Sequence, residues 1–511
     1  MKGTRPPSGP PPSYASPVPP NKRMNPRVRG AVDPMVSFSE WTTCHGIPQM
    51  VRSKRCFFIV FWALITVVAC GLMIWQVTML MIKYYGYPVT VSIELKFEQR
   101  LFPAVTVCNL NPYKNRIIRK FPNVNRLLDT YNYALHSVSC SNDVRCKPEV
   151  NQTLAEYADM YGLSHLDDSG ALQTHTRNLL ALEVAKYNVS EAFSDIDEVI
   201  KSCSFNTIAC NASDWTSFVD PRMGRCFTFN LNANHTSRRA GPVYGLRLLV
   251  MTNTKEYLPI SESAGMKVIV TDQTEIIFPD ITGYTVAVGT SSSIGVNYRE
   301  VSRLGKPYGS CSNDKATTFV YRQDGDYSAE ACQRSVYQEE LVTKCRCYDP
   351  SYPKPHYKDV PICSVDIKDE FHCWRTLTNQ SMANNCTQPC REGLYHGMVS
   401  VARWPSGSTE SVGGCLEGSF PDSCYETYKR DGALVEVYYS KLNYESTKEN
   451  AGYSFVSLLS DFGGQIGLWL GLSIISLVEF GILLIQIVLG FCKPATVPHT
   501  TPPYEPPNTP F

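Results

Sequence analysis

Two acidic residues stand in a segment that is otherwise apolar enough to cross a membrane. The segment runs from about Val456 to Leu489, and it contains Asp461 and Glu479. An ionised carboxylate is costly inside a bilayer and usually faces water or the interior of a helix bundle. The two positions are 18 residues apart, which is five whole turns, so a continuous helix would carry both on one face. The pattern predicts a polar stripe that either lines an ion path or packs against partner helices.

The tripeptide Gly471-Leu472-Ser473 lies midway between these carboxylates. Glycine permits either close helix approach or a break, and a break would free backbone carbonyls to face an ion. The alternative is that Ser473 is a packing residue, since small residues are common between membrane helices. One subunit cannot enclose a pore with two spans, so an ion path requires symmetric association. A ring of Asp461 carboxylates near the outer end would then concentrate cations.

A first apolar segment, Phe57–Ile82, carries no formal charge. It exceeds the ~20 residues that a spanning helix needs. Arg52, Lys54 and Arg55 precede it, and Lys493 follows the second segment, so both ends are predicted to be cytoplasmic. The predicted order is a tail at 1–56, a span at 57–82, an extracellular domain at 83–452, a pore-lining helix at 453–490 and a tail at 491–511.

The predicted extracellular region is rich in cysteine. Sixteen of the 20 cysteines lie between Cys108 and Cys424, an even number that favours full pairing into disulfides. Paired C-x-x-C units of the zinc-binding type do not occur in the sequence, so no metal site is expected. Six sequons for N-glycosylation fall in the same region: Asn151, Asn188, Asn211, Asn234, Asn379 and Asn385.

Local patterns in this region predict a mixed α+β domain. Pro88–Lys96 and Ala433–Leu442 alternate as strands do, the first leaving one span and the second entering the other. Leu179–Val199 and Tyr327–Cys345 have helix-like composition.

Several functional classes are excluded by what the sequence lacks. The net charge of +1 does not favour binding to nucleic acid. Motifs of hydrolases, metalloproteases and nucleotide-binding enzymes do not occur, so neither an enzyme nor a cofactor is expected.

Both tails are rich in proline, with nine prolines in residues 1–26 and seven in residues 494–511. Such segments favour polyproline II and build no core. Pro11, Pro12 and Tyr14 form a PPxY pattern that WW domains, such as those of ubiquitin ligases, recognise. The alternative is a proline-rich tail with a chance tyrosine.

From about Phe38 to Glu479 the sequence resembles degenerins and epithelial sodium channels. The motifs that carry the resemblance are Thr42-Thr43-Cys44-His45-Gly46, Phe102-Pro103-Ala104-Val105-Thr106-Val107-Cys108-Asn109, Leu110-Asn111-Pro112-Tyr113 and Gly471-Leu472-Ser473. The resemblance implies an α+β membrane protein whose two transmembrane helices flank a disulfide-rich extracellular domain of palm, β-ball, finger, thumb and knuckle. It also implies a trimeric, amiloride-sensitive sodium channel in the plasma membrane, similar to invertebrate degenerins.

The resemblance also implies roles for single residues. Gly471, Leu472 and Ser473 would form the selectivity filter, and Ser460 would occupy the degenerin position beside the gate. His45 and Gly46 would support gating from the cytoplasmic side. Trp469 would lie in the region where pore blockers bind.

Six disulfides follow from the same resemblance: Cys108–Cys226, Cys203–Cys210, Cys311–Cys390, Cys332–Cys386, Cys345–Cys373 and Cys347–Cys363. Four extracellular cysteines are left, and we expect the short-loop pairs Cys140–Cys146 and Cys415–Cys424.

Gating and assembly stay open at this point. Tyr84-Tyr85-Gly86-Tyr87-Pro88 holds no histidine where acid-sensing relatives have a pair, so proton gating by that route is not expected. An extracellular peptide, a matrix tether that transmits force and constitutive opening remain alternatives, as do homotrimers and heterotrimers. Two other classes also remain: an ATP-gated cation channel and a non-conducting receptor or matrix tether.

Overall fold

A computed structural model describes residues 26–141, 151–314, 321, 325–355, 359–378, 386–407 and 423–492. The chain divides into two units. The terminal unit comprises the residues up to Pro88 together with those from Ala451 onward, and the central unit comprises Val89–Asn450. The predicted WW ligand (Pro11, Pro12, Tyr14) and the sequons at Asn379 and Asn385 lie outside the described residues.

Helices and strands are numbered here in chain order. The helices are α1 Pro26–Trp41, α2 Ile47–Arg52, α3 Cys56–Tyr85, α4 Asn115–Ile118, α5 Pro122–Ser141, α6 Gln152–Met160, α7 Ser169–Val184, α8 Ile196–Val199, α9 Ala329–Cys345, α10 Lys368–Thr378, α11 Cys424–Asp431, α12 Phe455–Leu470 and α13 Ile474–Cys492. The strands are β1 Val89–Phe97, β2 Arg100–Leu101, β3 Ala104–Asn109, β4 Ile200–Phe205, β5 Ile208–Ala209, β6 Trp215–Asp220, β7 Gly224–Phe229, β8 Thr236–Ser237, β9 Leu246–Met251, β10 Gly265–Thr271, β11 Tyr284–Ala287, β12 Thr290–Ser302, β13 Arg391–Arg403, β14 Gly432–Tyr439 and β15 Asn443–Ala451.

The first span of the terminal unit is α3, a helix of 30 residues that is long and apolar enough to cross a membrane. At 1.5 Å per residue it is about 45 Å long, which exceeds the ~30 Å of a hydrocarbon core. Its only formal charge is Lys83 in the last turn. None of its residues is buried within the chain, as expected for a helix that faces lipid or partner subunits.

The second span is not the single helix that the sequence predicts over 453–490. It consists of α12 and α13, which are bent by 72° at a short break. The expectation that Asp461 and Glu479 share a face of a continuous helix is therefore wrong. Five whole turns align two residues only while the helix axis stays straight, and the break removes that condition.

The central unit contains two main sheets. The larger has the strand order β1-β15-β12-β14-β9-β4-β5, with β13 also paired to β12. The smaller has the order β11-β10-β3-β7-β6. Strand β3 (AVTVCN) is buried at every position, because β10 and β7 pair with its two edges and both of its faces are covered.

A helical layer accompanies these sheets. In α5 the buried side chains Val124, Leu127, Leu128 and Tyr131 follow the i, i+3, i+4, i+7 spacing of an amphipathic helix. They pack into one cluster with buried residues of α7 and α10, among them Trp374. This cluster fixes the relative positions of the helices in the central unit.

Among the described residues, six disulfides join cysteines of the central unit. They are Cys108–Cys226, Cys203–Cys210, Cys311–Cys390, Cys332–Cys386, Cys345–Cys373 and Cys347–Cys363, the same six pairs that the resemblance implies. Cys140 and Cys424 are also disulfide-bonded. Their predicted partners, Cys146 and Cys415, lie outside the described residues.

Two secondary-structure predictions need correction. The helix predicted over Leu179–Val199 ends with α7 at Val184, a short 3-10 helix covers Ser190–Ala192, and the next α-helix begins at Ile196. Between them the Asn188 side chain accepts a hydrogen bond from the backbone of Ser190, an interaction that competes with helix formation. The strand predicted over Ala433–Leu442 corresponds to β14, but the polar strand β15 follows it before the second span. The segments Pro88–Lys96 and Tyr327–Cys345 correspond to β1 and α9.

Candidate ion pathway in the terminal unit

The break between α12 and α13 is formed by Gly471, Leu472 and Ser473. Gly471 has φ 65° and ψ 19°, and its backbone N–H donates to the Gly467 carbonyl at 2.9 Å, which ends α12. Ser473 starts the next helix, because its hydroxyl lies 3.4 Å from the Ser476 backbone nitrogen. The tripeptide predicted as a filter is therefore a short non-helical link, capped on both sides.

The loop that contains His45 lies against this break. The backbone N–H of His45 donates to the Leu470 carbonyl at 2.9 Å, so an orphan carbonyl at the end of α12 is satisfied by a residue from the other end of the chain. A Cβ on Gly471 would overlap the His45 ring. Glycine is thus required at this position both by its left-handed backbone and by this close approach.

Glu479 of α13 is held by the same loop. Its carboxylate accepts hydrogen bonds from the Thr43 backbone N–H at 3.1 Å, the Thr43 hydroxyl at 3.2 Å and the Thr42 hydroxyl at 3.3 Å. The Thr43 hydroxyl also lies 2.6 Å from that of Ser476. Glu479 is only 8% exposed, and it makes no salt bridge in the described part of the chain. Every described partner of this carboxylate is therefore a neutral donor.

Gly46 anchors the other end of this loop. It has φ 96°, and a Cβ there would overlap the hydroxyl of Thr66 on α3. The next residues form α2, which leads into the first span. Residues 42–46 therefore contact both α3 and the α12–α13 break, and we call them the re-entrant loop.

The N-terminal half of α12 carries Ser460 and Asp461. Both are exposed in the single chain, and the Asp461 carboxylate accepts a hydrogen bond of 2.6 Å from the hydroxyl of Tyr453. The ammonium of Lys83 lies 4.4 Å from the centroid of the Tyr453 ring. Tyr453 thus connects the end of the first span to the acidic residue at the start of the second.

Trp469 is directed toward the first span. Its indole N–H donates to the side-chain carbonyl of Gln76 on α3 at 2.7 Å. A buried indole N–H needs such a partner in a membrane, where water is scarce. The hydrogen bond fixes α12 against α3 just before the break.

The predicted site residues form two groups. His45, Gly46, Gly471 and Glu479 come together with Ser473 around the break. Ser460 and Asp461 do not, since Asp461 precedes Gly471 by ten residues, about 15 Å along a helix. Sequence reasoning did not find the contacts of Thr43, Ser476, Tyr453 and Gln76. Thr43 had a signal because it stands in one of the quoted motifs, and Ser476 because it follows Ser473 by three residues and so lies one helical turn on.

Comparison with known proteins agrees with this arrangement. A family model described as "Amiloride-sensitive sodium channel" matches residues 38–483. The degenerin-like protein asic-2 of Caenorhabditis elegans is 32% identical over 90% of this chain and 88% of its own length. Degenerin mec-4 of Caenorhabditis briggsae is 37% identical over 65% of this chain and 44% of its own length, and degenerin unc-8 of Caenorhabditis elegans is 36% identical over 70% and 47%. The chain spans less than half the length of the latter two relatives.

The family match begins just before the re-entrant loop and ends just after Glu479. It therefore includes the first span, the central unit, the second span as far as residue 483 and every residue of the cluster around the break. These observations show that the chain belongs to the amiloride-sensitive sodium channel family, a family of sodium-selective ion channels and not of enzymes.

Proposed function

We propose that this chain is one subunit of a trimeric, sodium-selective and amiloride-sensitive channel in the plasma membrane, with both termini in the cytoplasm. The observation that carries the proposal is the non-helical link Gly471–Ser473 in the middle of the second span. Irregular backbone at membrane depth is tolerated only where it is buried in protein or lines water. Three such links around a symmetry axis would supply the wall of a narrow pore.

Selection of sodium over potassium follows from the size of this link. The smaller ion holds its hydration water tightly, so oxygen atoms must approach closely to replace it. Gly471 and Ser473 have small side chains, which lets three copies approach one another. The hydroxyl of Ser473 and the backbone carbonyls of the link are the oxygen atoms that we propose to contact the ion.

The two acidic residues take different roles in this proposal. Asp461, exposed at the outer end of α12, would form a ring of carboxylates that concentrates cations before the filter. Glu479 is engaged by the re-entrant loop and would hold that loop beneath the filter. A loop held in this way can transmit movement of the cytoplasmic tail to the pore.

The gating stimulus is proposed to be an extracellular peptide or matrix ligand, or a mechanical force, with constitutive opening as the alternative. The family membership disfavours an ATP-gated channel and a non-conducting tether. Homotrimers and heterotrimers with family subunits fit equally, and a WW-domain ubiquitin ligase is the proposed partner of Pro11, Pro12 and Tyr14.

Voltage clamp of oocytes that express the chain, alone and with family subunits, tests the filter. Gly471→Ala and Ser473→Val should abolish the current or shift its reversal potential under sodium–potassium exchange, with surface biotinylation unchanged. Gly71→Ala is the matched control, because Gly71 on α3 has open space where a Cβ would be added. If both filter variants keep the wild-type reversal potential, the filter lies elsewhere. Absence of sodium current from every subunit combination would contradict the channel proposal itself.

A further inference from the structure

A cavity in the central unit lies between α7 and α10, and its volume is about 350 Å³. Helix α7 contributes Thr174, His175 and Asn178 to its wall, and α10 contributes Trp374 and Arg375. The volume is at the lower end of the ~300–1,000 Å³ that is typical of small-molecule sites in proteins. It therefore suits a ligand group of roughly the size of one amino-acid residue.

Arg375 is a partly buried cation without a counter-ion. No carboxylate lies within 4.0 Å of its guanidinium in the described part of the chain, and none of the residues that line the cavity is acidic. Among other arginines of this unit, Arg222 and Arg334 pair with Asp280, and Arg100 and Arg126 lie over tyrosine rings. A guanidinium removed from water without a partner is unfavourable, so an anion in the cavity would stabilise it.

His175 supplies an acceptor beside this cation. Its Nε2 lies 2.9 Å from the Tyr161 carbonyl oxygen, and since a carbonyl can only accept, Nε2 carries the hydrogen. Burial, and further the Arg375 charge, lower the pKa of His175, so the ring is neutral at pH 7. Nδ1 then keeps a lone pair, and it has no hydrogen-bond partner among the described residues.

Trp374 gives the cavity a rigid wall. Its indole N–H donates to the Asp349 carboxylate at 3.0 Å, and the side chain is 1% exposed. The hydroxyl of Thr174 and the side-chain amide of Asn178 add further hydrogen-bonding groups to the lining. One cation, one neutral acceptor and several neutral polar groups thus surround a space next to a fixed aromatic ring.

We propose that this cavity binds an N-acylated α-amino acid carboxylate, either as a free small molecule or as the C-terminal residue of a peptide. The guanidinium of Arg375 pairs with the carboxylate through two parallel N–H bonds. Nδ1 of His175 accepts the hydrogen bond of the neighbouring amide N–H. A phosphate group fits less well, because its second negative charge would have no second cation in the lining.

Ligand-observed saturation-transfer NMR on the purified full-length chain in nanodiscs tests this proposal. The probes are N-acetyl-L-phenylalanine and, as a matched neutral control, N-acetyl-L-phenylalaninamide. The acid should bind at least about tenfold more tightly than the amide, since a charge-assisted hydrogen bond is lost in the amide. Comparison with pentapeptides that end in a free or an amidated carboxyl group separates a small-molecule ligand from a peptide ligand.

Arg375→Gln should remove binding of the acid, whereas Arg403→Gln, at an exposed arginine of β13, should leave it unchanged. Equal signals from acid and amide, or unchanged binding by Arg375→Gln, would overturn the proposal. If Arg375→Gln does not fold, phenylglyoxal labelling of the wild-type chain takes its place. N-acetyl-L-phenylalanine should then slow the labelling of Arg375 and not of Arg403, and equal labelling rates would overturn the proposal.

Binding in this experiment is independent of conduction. A change in sodium current when the cavity is occupied rests on the proposed channel function, whereas the NMR signal does not. A chain that binds the acid and carries no current would therefore contradict the channel and leave the binding site standing.

Discussion

The two units hold their shielded carboxylates in different ways. In the central unit, Asp280 accepts hydrogen bonds from Arg222 at 3.0 Å and from Arg334 at 2.8 Å. In the terminal unit, the described donors to Glu479 are all neutral groups of the re-entrant loop. Separating a shielded ion pair is costly, whereas neutral donors are exchanged for water at a lower cost. This difference indicates that the salt bridges of Asp280 in the central unit persist in the folded protein. The hydrogen bonds of Glu479 in the terminal unit can instead be replaced by hydrogen bonds to water.

The two units also differ in their disulfides. Six disulfides between described residues fix the central unit, while Cys44, Cys56 and Cys70 of the terminal unit are free. Disulfides stabilise a fold mainly by restricting the unfolded chain. Among the described residues, the terminal unit is instead held by hydrogen bonds at the break and between α12 and α3.

The largest effect is expected for Asp280→Ala. Removal of this carboxylate leaves Arg222 and Arg334 without their shared partner, which should cost about 3–5 kcal/mol of unfolding free energy. Denaturant unfolding of the purified chain measures this loss. Asp359→Ala is the control, since the Asp359 side chain is 99% exposed and its salt bridge should contribute little. Equal losses of unfolding free energy in both variants would mean that the salt bridges of Asp280 contribute no more stability than a surface contact.

A smaller effect is expected for Ser460→Phe in the terminal unit, and it is a gain of resting sodium current and not a loss of stability. Three copies of this residue should meet when the channel closes, so a bulky side chain destabilises the closed state alone. A clash of ~2 kcal/mol per channel would raise the open-to-closed ratio about thirtyfold. Resting sodium current measures it, with Leu459→Phe at the exposed neighbour as control. Normal surface expression without increased current would remove Ser460 from the gate.

A comparable or slightly smaller effect on the sodium current is expected for Glu479→Gln. The amide keeps one acceptor but loses the charge, so its bonds to the re-entrant loop weaken by about 1.5 kcal/mol. We expect a roughly tenfold reduction in sodium current at unchanged surface level. Thr43→Val should act through the same contact, so the double variant should be no worse than the more severe single variant. Additive losses would show that Thr43 and Glu479 act independently.

The smallest expected effect is that of acid on the stability of the central unit. Burial and then Arg375 lower the pKa of His175 below its ordinary value of 6.5, so the unfolded chain takes up a proton before the folded chain does. Stability should therefore fall as pH drops below about 6.5 and level off below the lowered pKa. Thermal unfolding between pH 8 and pH 5 measures this slope, and His175→Gln should reduce it. An unchanged slope in that variant would assign the acid response to other groups.

Local sequence patterns correctly predicted the helices and strands whose own residues favour one secondary structure. The apolar run Phe57–Ile82 specifies a span, because any polar backbone in lipid must form its hydrogen bonds within one helix. The alternation in Pro88–Lys96 and the composition of Tyr327–Cys345 likewise matched β1 and α9. Leu179–Val199 failed because Asn188 and the residues that follow it offer the backbone competing hydrogen bonds.

Polar and distant partners could not be predicted in this way. Strand β15 (NYESTKENA) has no apolar alternation and exists because β12 and β1 pair with it. The cavity between α7 and α10 joins residues about 200 positions apart, such as His175 and Arg375. Neither feature has a periodicity that a sequence pattern could reveal.

The sequence by itself indicated two spans, the family and the tripeptide at which the second span could break, since glycine at Gly471 permits the left-handed backbone that ends α12. Only the tertiary structure decided which residues pack against that break. The contact between Thr43 and Glu479 spans 436 positions. The hydroxyl and backbone donors of Thr43 are common to many residues, and only folding brings them to the carboxylate that needs them.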